Sequence, residues 1–117
     1  MEPLNLVKLY RLQIGKGEGL DVSRKSGTGL GLCFAPPWSW IVESKAGAMP
    51  WDRYRYLYQG LLSEMPIEKV QELYAYGVEC GFELGLLCYC KSGYHCHANL
   101  LIEWLVKSWP DWFEVKL

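Results

Sequence analysis

The sequence lacks an excess of charge of either sign. Its 117 residues include 12 Lys and Arg against 13 Asp and Glu. Binding along duplex DNA requires a basic face, so this balance disfavours extended contact with DNA. An apolar segment as long as a membrane span is also missing, and residues 1–10 lack the apolar run of a secretory signal. We therefore expect a cytoplasmic protein without a membrane partner.

The composition also lacks the signs of a disulfide framework. The five cysteines are an odd number, and two of them stand close together as Cys88-Tyr89-Cys90. Without a secretory signal, this pattern predicts reduced thiols in a cytosol-like compartment. Half of the residues are hydrophobic, which is enough to bury a core without covalent links. We expect one domain that spans residues 1–117.

The spacing of apolar residues predicts strands and helices in an α/β order. Predicted strands cover Val7–Ile14, Leu20–Val22 and Phe82–Tyr89, and predicted helices cover Pro50–Met65, residues 66–81 and His97–Ser108. The strand at Phe82–Tyr89 is apolar nearly throughout, so we expect it to be central and covered on both faces. Val115 marks a candidate edge strand. The order predicts a single Rossmann-like domain with a mostly parallel sheet flanked by helices.

The segment from Gly27 to Pro50 shows no helical pattern. Ser39–Glu43 is a candidate short strand, and a long loop in a compact domain is often a functional lid. Trp38 and Trp40 would share one face of such a strand. We expect at least one of them to pack in the core.

Reactive side chains are concentrated between Cys88 and His97, which hold three of the five cysteines and both histidines. A strand ends at Cys90, a loop follows at residues 91–94, and a helix begins at His97. Backbone N–H groups at such a loop and helix start converge and favour an anion. A thiol placed there has its pKa lowered. If the site is catalytic, we therefore predict that Cys96 is the nucleophile or acid, with His97 or Asp21 as its partner.

A second polar segment follows the Leu20–Val22 strand. The carboxyl ends of parallel strands lie at one edge of a sheet, where open α/β sheets bind ligands. This turn and the Cys90–His97 loop should therefore form one pocket. Asp21 is the alternative predicted partner of Cys96. The predicted ligand-binding residues are Arg24, Lys25, Cys90, Lys91, Ser92, Gly93 and His95.

Two other interpretations of the cysteines are less favoured. Cys90 to Cys96 has the spacing of the C-x-x-G-x-x-R loop of cysteine phosphatases, but Cys96 replaces the arginine that clamps the phosphoryl group. Zinc bound by Cys88, Cys90, Cys96 and a histidine is the minority interpretation. The C-x-x-C pattern is missing, and Cys88 should lie deeper in the core than Cys90. We expect no metal or other cofactor. Cys33 and Cys80 are predicted to be small buried hydrophobes.

Several of these motifs resemble those of an uncharacterised family of small bacterial and phage α/β proteins. Leu87-Cys88-Tyr89-Cys90 with Cys96-His97 is similar to the family's L-x-C-x-[EC] and C-H-R signature, and Leu20–Arg24 is similar to its I-D-V-R strand end. The resemblance covers most of the chain. It implies a Rossmann-like fold, two motifs that meet in one pocket, and a phage-encoded protein in the host cytosol. It implies no activity, because the family is a domain of unknown function.

The chain departs from that family at two positions. Ala98 stands where the family has arginine, and Cys90 stands where many members have glutamate. Any anion-binding role would need another cation, for which Arg24, Lys25, Lys91 and Arg55 are the candidates.

Three functions follow from these observations. The leading hypothesis is a protein that binds a nucleotide-like or phosphate-bearing small molecule between the Asp21–Lys25 turn and the Cys90–His97 loop. The first alternative is an enzyme that acts on a nucleotide or nucleobase, with Cys96 as its reactive thiol. The second alternative is a module that binds a host protein through the Trp38–Trp51 segment, with structural cysteines or a zinc site. A homo-oligomer is compatible with all three.

Overall fold

A computed structural model describes residues 5–90 and 95–117 of the chain. Within these residues, strands and helices alternate as an α/β fold requires, which confirms the predicted fold class. The elements in chain order are β1 (Val7–Gln13), β2 (Leu20–Asp21), α1 (Gly29–Cys33), α2 (Trp38–Lys45), α3 (Trp51–Ser63), α4 (Ile67–Glu79), β3 (Glu83–Cys88), α5 (His97–Ser108) and β4 (Phe113–Val115).

The four strands form one sheet in the order β2-β3-β1-β4, and every pairing is parallel. The long β1–β3 pairing runs from Lys8 opposite Glu83 to Gln13 opposite Cys88. β4 pairs with β1 at one edge, as predicted for Val115. All strands point the same way, so the carboxyl ends of β1, β2 and β3 lie at the same edge of the sheet.

One face of the sheet carries the core. Residues that alternate along β1 and β3 are fully buried, among them Val7, Leu9, Leu84 and Leu86, and they join the buried residues of α3, α4 and α5 in one cluster. The opposite face is not fully covered, since Leu87 remains half-buried. The prediction that β3 is covered on both faces is therefore wrong.

Gly85 accounts for much of this difference. It adds no side chain to the opposite face, and a Cβ on it would lie 3.0 Å from the ring of Tyr10 on the neighbouring strand. The ring of Tyr10 therefore covers this part of β3 in place of a helix.

The three longer helices begin and end close to their predicted limits. Pro50 and Pro66 stand at the N-caps of α3 and α4, where the fixed φ of proline suits the turn that leads into a helix. The buried residues of α3 are Tyr54, Tyr58 and Leu62, and their spacing of four gives one apolar stripe. The predicted bounds of α5 match the structure.

The segment from Gly27 to Pro50 differs from its prediction. It contains two helices, and α2 replaces the predicted strand at Ser39–Glu43. Pro37 forms the N-cap of α2, and Trp40 packs edge-on against Tyr54 of α3 with ring centroids 6.4 Å apart. Trp40 is half-buried and packs against the core without being part of it, whereas Trp38 is 52% exposed. No residue of α2 is buried.

Cys33 and Cys80 are both exposed, so their prediction as buried hydrophobes is wrong. Cys33 is the last residue of α1 and Cys80 is the C-cap of α4. Both positions lie at helix ends on the surface. In residues 5–90 and 95–117, no helix combines the length and the apolar character needed to cross a membrane.

Candidate functional site

A pocket of about 460 Å³ lies at the carboxyl ends of β2 and β3. The turn after β2 forms one wall, α2 with the start of α3 forms a second, and the end of β3 with the start of α5 forms the third. The two predicted polar segments therefore meet. The described lining residues are Ser23, Arg24, Lys25, Trp38, Ile41, Ser44, Lys45, Met49, Trp51, Tyr54, Cys88, Tyr89, Cys90, His95, Cys96 and His97.

Three thiols converge on the inner wall of this pocket. The Sγ atoms of Cys88, Cys90 and Cys96 all lie within 4.8 Å of one another, and the Cys96 thiol donates a hydrogen bond to Cys88 Sγ over 3.0 Å. Alternation along the strand puts Cys88 and Cys90 on the same side. Cys96 joins them as the N-cap of α5. Cys88 and Cys96 are buried, whereas Cys90 is half-buried.

The hydrogen bonds within the cluster give its thiols different acidities. Hydrogen bonds from the Cys90 and Cys96 thiols, and then from Arg11, lower the pKa of Cys88 far below its ordinary value, although burial opposes this. The hydrogen bond to Cys88 raises the pKa of Cys96, and burial raises it further. The pKa of Cys90 is also raised, mainly by its hydrogen bond to Cys88. The contact with Arg11 therefore favours Cys88 as the thiolate of the cluster, whereas the sequence favours Cys96, whose catalytic role stays a prediction.

Arg11, like Lys45 of α2, is a residue of this site that the sequence did not reveal. Its Nη1 donates hydrogen bonds to the Cys90 carbonyl oxygen over 2.7 Å and to Cys88 Sγ over 3.4 Å. The signal for it was present, because alternation along β1 puts Arg11 on the same face as Val7 and Leu9. A cation on the buried face near the carboxyl end of a strand needs a partner.

The turn after β2 is organised by Asp21. Its carboxylate accepts hydrogen bonds from the Ser23 N–H over 2.9 Å, from the Ser23 hydroxyl over 2.6 Å, and from the Ser26 hydroxyl. The Tyr89 hydroxyl donates to Ser26 Oγ over 2.8 Å, which ties the turn to the end of β3. Asp21 is not among the residues that line the pocket, and its observed role is to shape this wall.

The cations of the pocket differ in how firmly they are held. Arg24 donates to the Pro36 carbonyl oxygen over 2.9 Å and to that of Ala35 over 3.1 Å. The Lys25 ammonium lies 5.1 Å from the centre of the Tyr89 ring, and such a cation–π contact orients it along the pocket wall. Lys45 is in the last turn of α2.

Both histidines line the pocket, but each is held by another group. The His95 ring stacks on Trp51 with centroids 4.4 Å apart and planes 10° apart. His97 is buried, its Nε2 lies 2.8 Å from the Val22 carbonyl oxygen, and that oxygen can only accept. Burial lowers the pKa of His97, so its ring is neutral near pH 7.

Some predicted site residues lie outside the described part of the chain. These are Lys91, Ser92 and Gly93, together with the rest of their loop. Arg55, one of the cations predicted to compensate for alanine at position 98, is exposed on α3. Among the described cations, Arg11 is the one that donates to the thiol cluster.

Comparisons with protein-family models, curated proteins and solved structures gave no match to this chain. The resemblance to the small bacterial and phage family therefore stays a prediction. Any function must be argued from the pocket itself.

Proposed function

We propose that the protein binds a nucleotide-like ligand, a planar ring that carries a phosphate group, in the pocket between β2, β3 and α2. One observation carries the proposal. Among the described lining residues, three are cationic, namely Arg24, Lys25 and Lys45, and none carries a carboxylate, so the cations outnumber the single thiolate of Cys88. A pocket with this charge at the carboxyl ends of parallel strands suits an anion.

The size and the remaining walls of the pocket support the same ligand class. A volume of about 460 Å³ lies within the range of small-molecule sites. The Trp51 ring already stacks with His95 and with Tyr54, so the ring that is open to a ligand is that of Trp38, which is half-exposed on α2. Aromatic faces of this kind stack on bases without reading their identity. The proposal therefore specifies a ligand class and not one base.

Isothermal titration calorimetry with a nucleoside monophosphate, the matching nucleoside and inorganic phosphate tests the proposal. If the cations hold the phosphate and the Trp38 ring holds the base, the monophosphate binds more tightly than either fragment. Equal affinities for the nucleoside and the monophosphate would show that the cations do not hold the phosphate. Failure of all three probes to bind would refute the ligand class.

Paired lysine substitutions make the test specific to the pocket. We expect Lys25→Met and Lys45→Met each to weaken nucleotide binding about tenfold, through loss of one charged contact. Lys107→Met is the matched control, because Lys107 is exposed near the far end of α5. An equal loss in the control variant would show that only net charge matters.

A second candidate function is an enzyme that acts on the bound nucleotide or nucleobase. The observation that favours it is the lowered pKa of Cys88, since thiolates are the reactive form of cysteine. On this hypothesis Cys88 replaces Cys96 as the reactive thiol. Cys88→Ser should then abolish turnover and leave nucleotide affinity unchanged, while Cys33→Ser changes neither. Retained turnover in Cys88→Ser would exclude the thiol mechanism.

The proposal includes a reducing, cytosol-like compartment. All five cysteines are unpaired, and the thiol cluster needs its sulfur atoms free. A phage origin and the host cytosol remain predictions from the family resemblance.

A further inference from the structure

The sulfur atoms of Cys88, Cys90 and Cys96 form a compact triangle that nucleotide binding alone does not explain. We infer that this triangle is a zinc site with three protein ligands and a fourth position open to the pocket. The inference does not depend on nucleotide binding. It reverses the expectation that the spacing of these cysteines disfavours a metal, because the structure brings together residues whose sequence lacks the usual C-x-x-C pattern.

The distances suit zinc. Zinc–sulfur bonds of about 2.3 Å at tetrahedral angles put neighbouring sulfur atoms about 3.8 Å apart. Cys88 Sγ and Cys96 Sγ lie 3.0 Å apart, and all three sulfur atoms lie within 4.8 Å. The required spacing falls between these limits, so small side-chain rotations would admit the ion.

The local charge selects the metal. Three thiolates around Zn²⁺ carry a net charge of −1, which is balanced by the guanidinium of Arg11, the cation that contacts the cluster among the described residues. Arg11 already contacts Cys88 Sγ over 3.4 Å. Three thiolates around copper(I) carry a net charge of −2, so a charge of −1 would remain beside Arg11. Two of the three cysteines of this site are buried. Such an uncompensated charge is costly. The soft thiolates also disfavour magnesium and calcium.

The histidines leave the fourth coordination position of the zinc ion open. His95 stacks on Trp51, and His97 Nε2 is bound to the Val22 carbonyl oxygen, so each ring already has a partner. The three sulfur atoms and these rings line the same pocket. A zinc ion held by three protein side chains beside a pocket resembles catalytic zinc sites, which keep one position for water or substrate. On binding, each protonated thiol gives its proton to the buffer.

Cobalt(II) spectroscopy on the full chain tests the inference. The protein is reduced, freed of metal with a chelator, and titrated with Co²⁺ and then Zn²⁺. We expect one Co²⁺ per chain, a thiolate-to-cobalt charge-transfer band, and its loss when Zn²⁺ displaces the cobalt. Cys88→Ser and Cys90→Ser should each weaken zinc binding about a hundredfold or more, since loss of an outer-shell partner alone costs roughly ten- to a hundredfold. Circular dichroism checks that both variants fold.

Three matched variants show whether zinc binding depends on the triangle itself. Cys33→Ser and Cys80→Ser remove exposed thiols outside the triangle and should leave zinc affinity unchanged. His95→Gln should also leave it unchanged if the fourth position is open. A loss in His95→Gln as large as in Cys90→Ser would refute the open position. Absence of the charge-transfer band would refute the zinc site. A disulfide between Cys88 and Cys96 that persists after treatment with a reductant would refute it as well.

Discussion

Arg11 allows a quantitative test of the thiol cluster. Its guanidinium donates to Cys88 Sγ over 3.4 Å and to the Cys90 carbonyl oxygen over 2.7 Å. Arg11→Met keeps an apolar stem and removes the charge. A hydrogen bond to a charged group contributes about 1.5–3 kcal/mol, and solvent around the half-exposed guanidinium lessens this. We therefore expect the substitution to raise the pKa of Cys88 and to reduce its ionisation constant about tenfold, or about 1.4 kcal/mol.

The ultraviolet absorbance of the thiolate, followed against pH in metal-free protein, measures this change. All proteins in this experiment carry Cys33→Ser and Cys80→Ser, which remove the exposed thiols. The titration curve of Arg11→Met should move to higher pH, because the thiolate has lost a cationic donor. Lys8→Met is the matched control, since Lys8 is an exposed cation on the same strand. Identical curves for the two variants would refute a specific role of Arg11.

Three further predictions concern stability and are measured by urea unfolding. Gly77→Ala should destabilise the fold by about 1–3 kcal/mol, because its Cβ would lie 2.5 Å from Val7 Cγ1. In a double-mutant cycle, adding Val7→Ala to the same chain should recover part of this loss. Purely additive effects of the two substitutions would refute the clash. Tyr58→Phe should cost about 1–3 kcal/mol, since the buried hydroxyl donates to the Phe34 carbonyl oxygen over 2.7 Å, whereas the same change at an exposed tyrosine should cost little. Burial lowers the pKa of His97, so as the pH falls the unfolded chain takes up a proton at this position before the folded chain does. The free energy of unfolding should therefore fall as the pH drops below about 6.5. His97→Gln should weaken this dependence on pH, and an unchanged dependence would contradict the assignment.

The sequence predicted the elements whose signals are local. Pro50 and Pro66, followed by apolar residues at spacings of three and four, were enough to place α3 and α4. α2 was missed because Trp38, Trp40 and Val42 alternate like a strand, while a helix is favoured there by the proline before it and by the packing of Trp40 on Tyr54. That packing partner cannot be read from the segment itself.

The site was predicted in outline for a similar reason. The edge of the sheet where the Ser23–Lys25 turn meets Cys88–His97 follows from parallel strand order alone. The role of Arg11 depends on the register that puts β1 beside β3, and no local pattern fixes that register. The acidity of Cys88 likewise depends on which thiol donates to which, a matter of distances within the folded cluster.

The β1 strand has a consequence for how the chain reaches its fold. Both of its neighbours are distant in sequence, since Lys8 lies opposite Glu83 and Val7 lies opposite Phe113. Contacts of such long sequence separation slow folding. During synthesis on a ribosome, β1 would keep both of its aggregation-prone edges open until β3 had emerged, and one of them until β4 had emerged. Because Arg11 reaches the thiols from this strand, the pocket should be among the last features to form, and a partly folded chain that contains only α3 and α4 would have no thiol cluster.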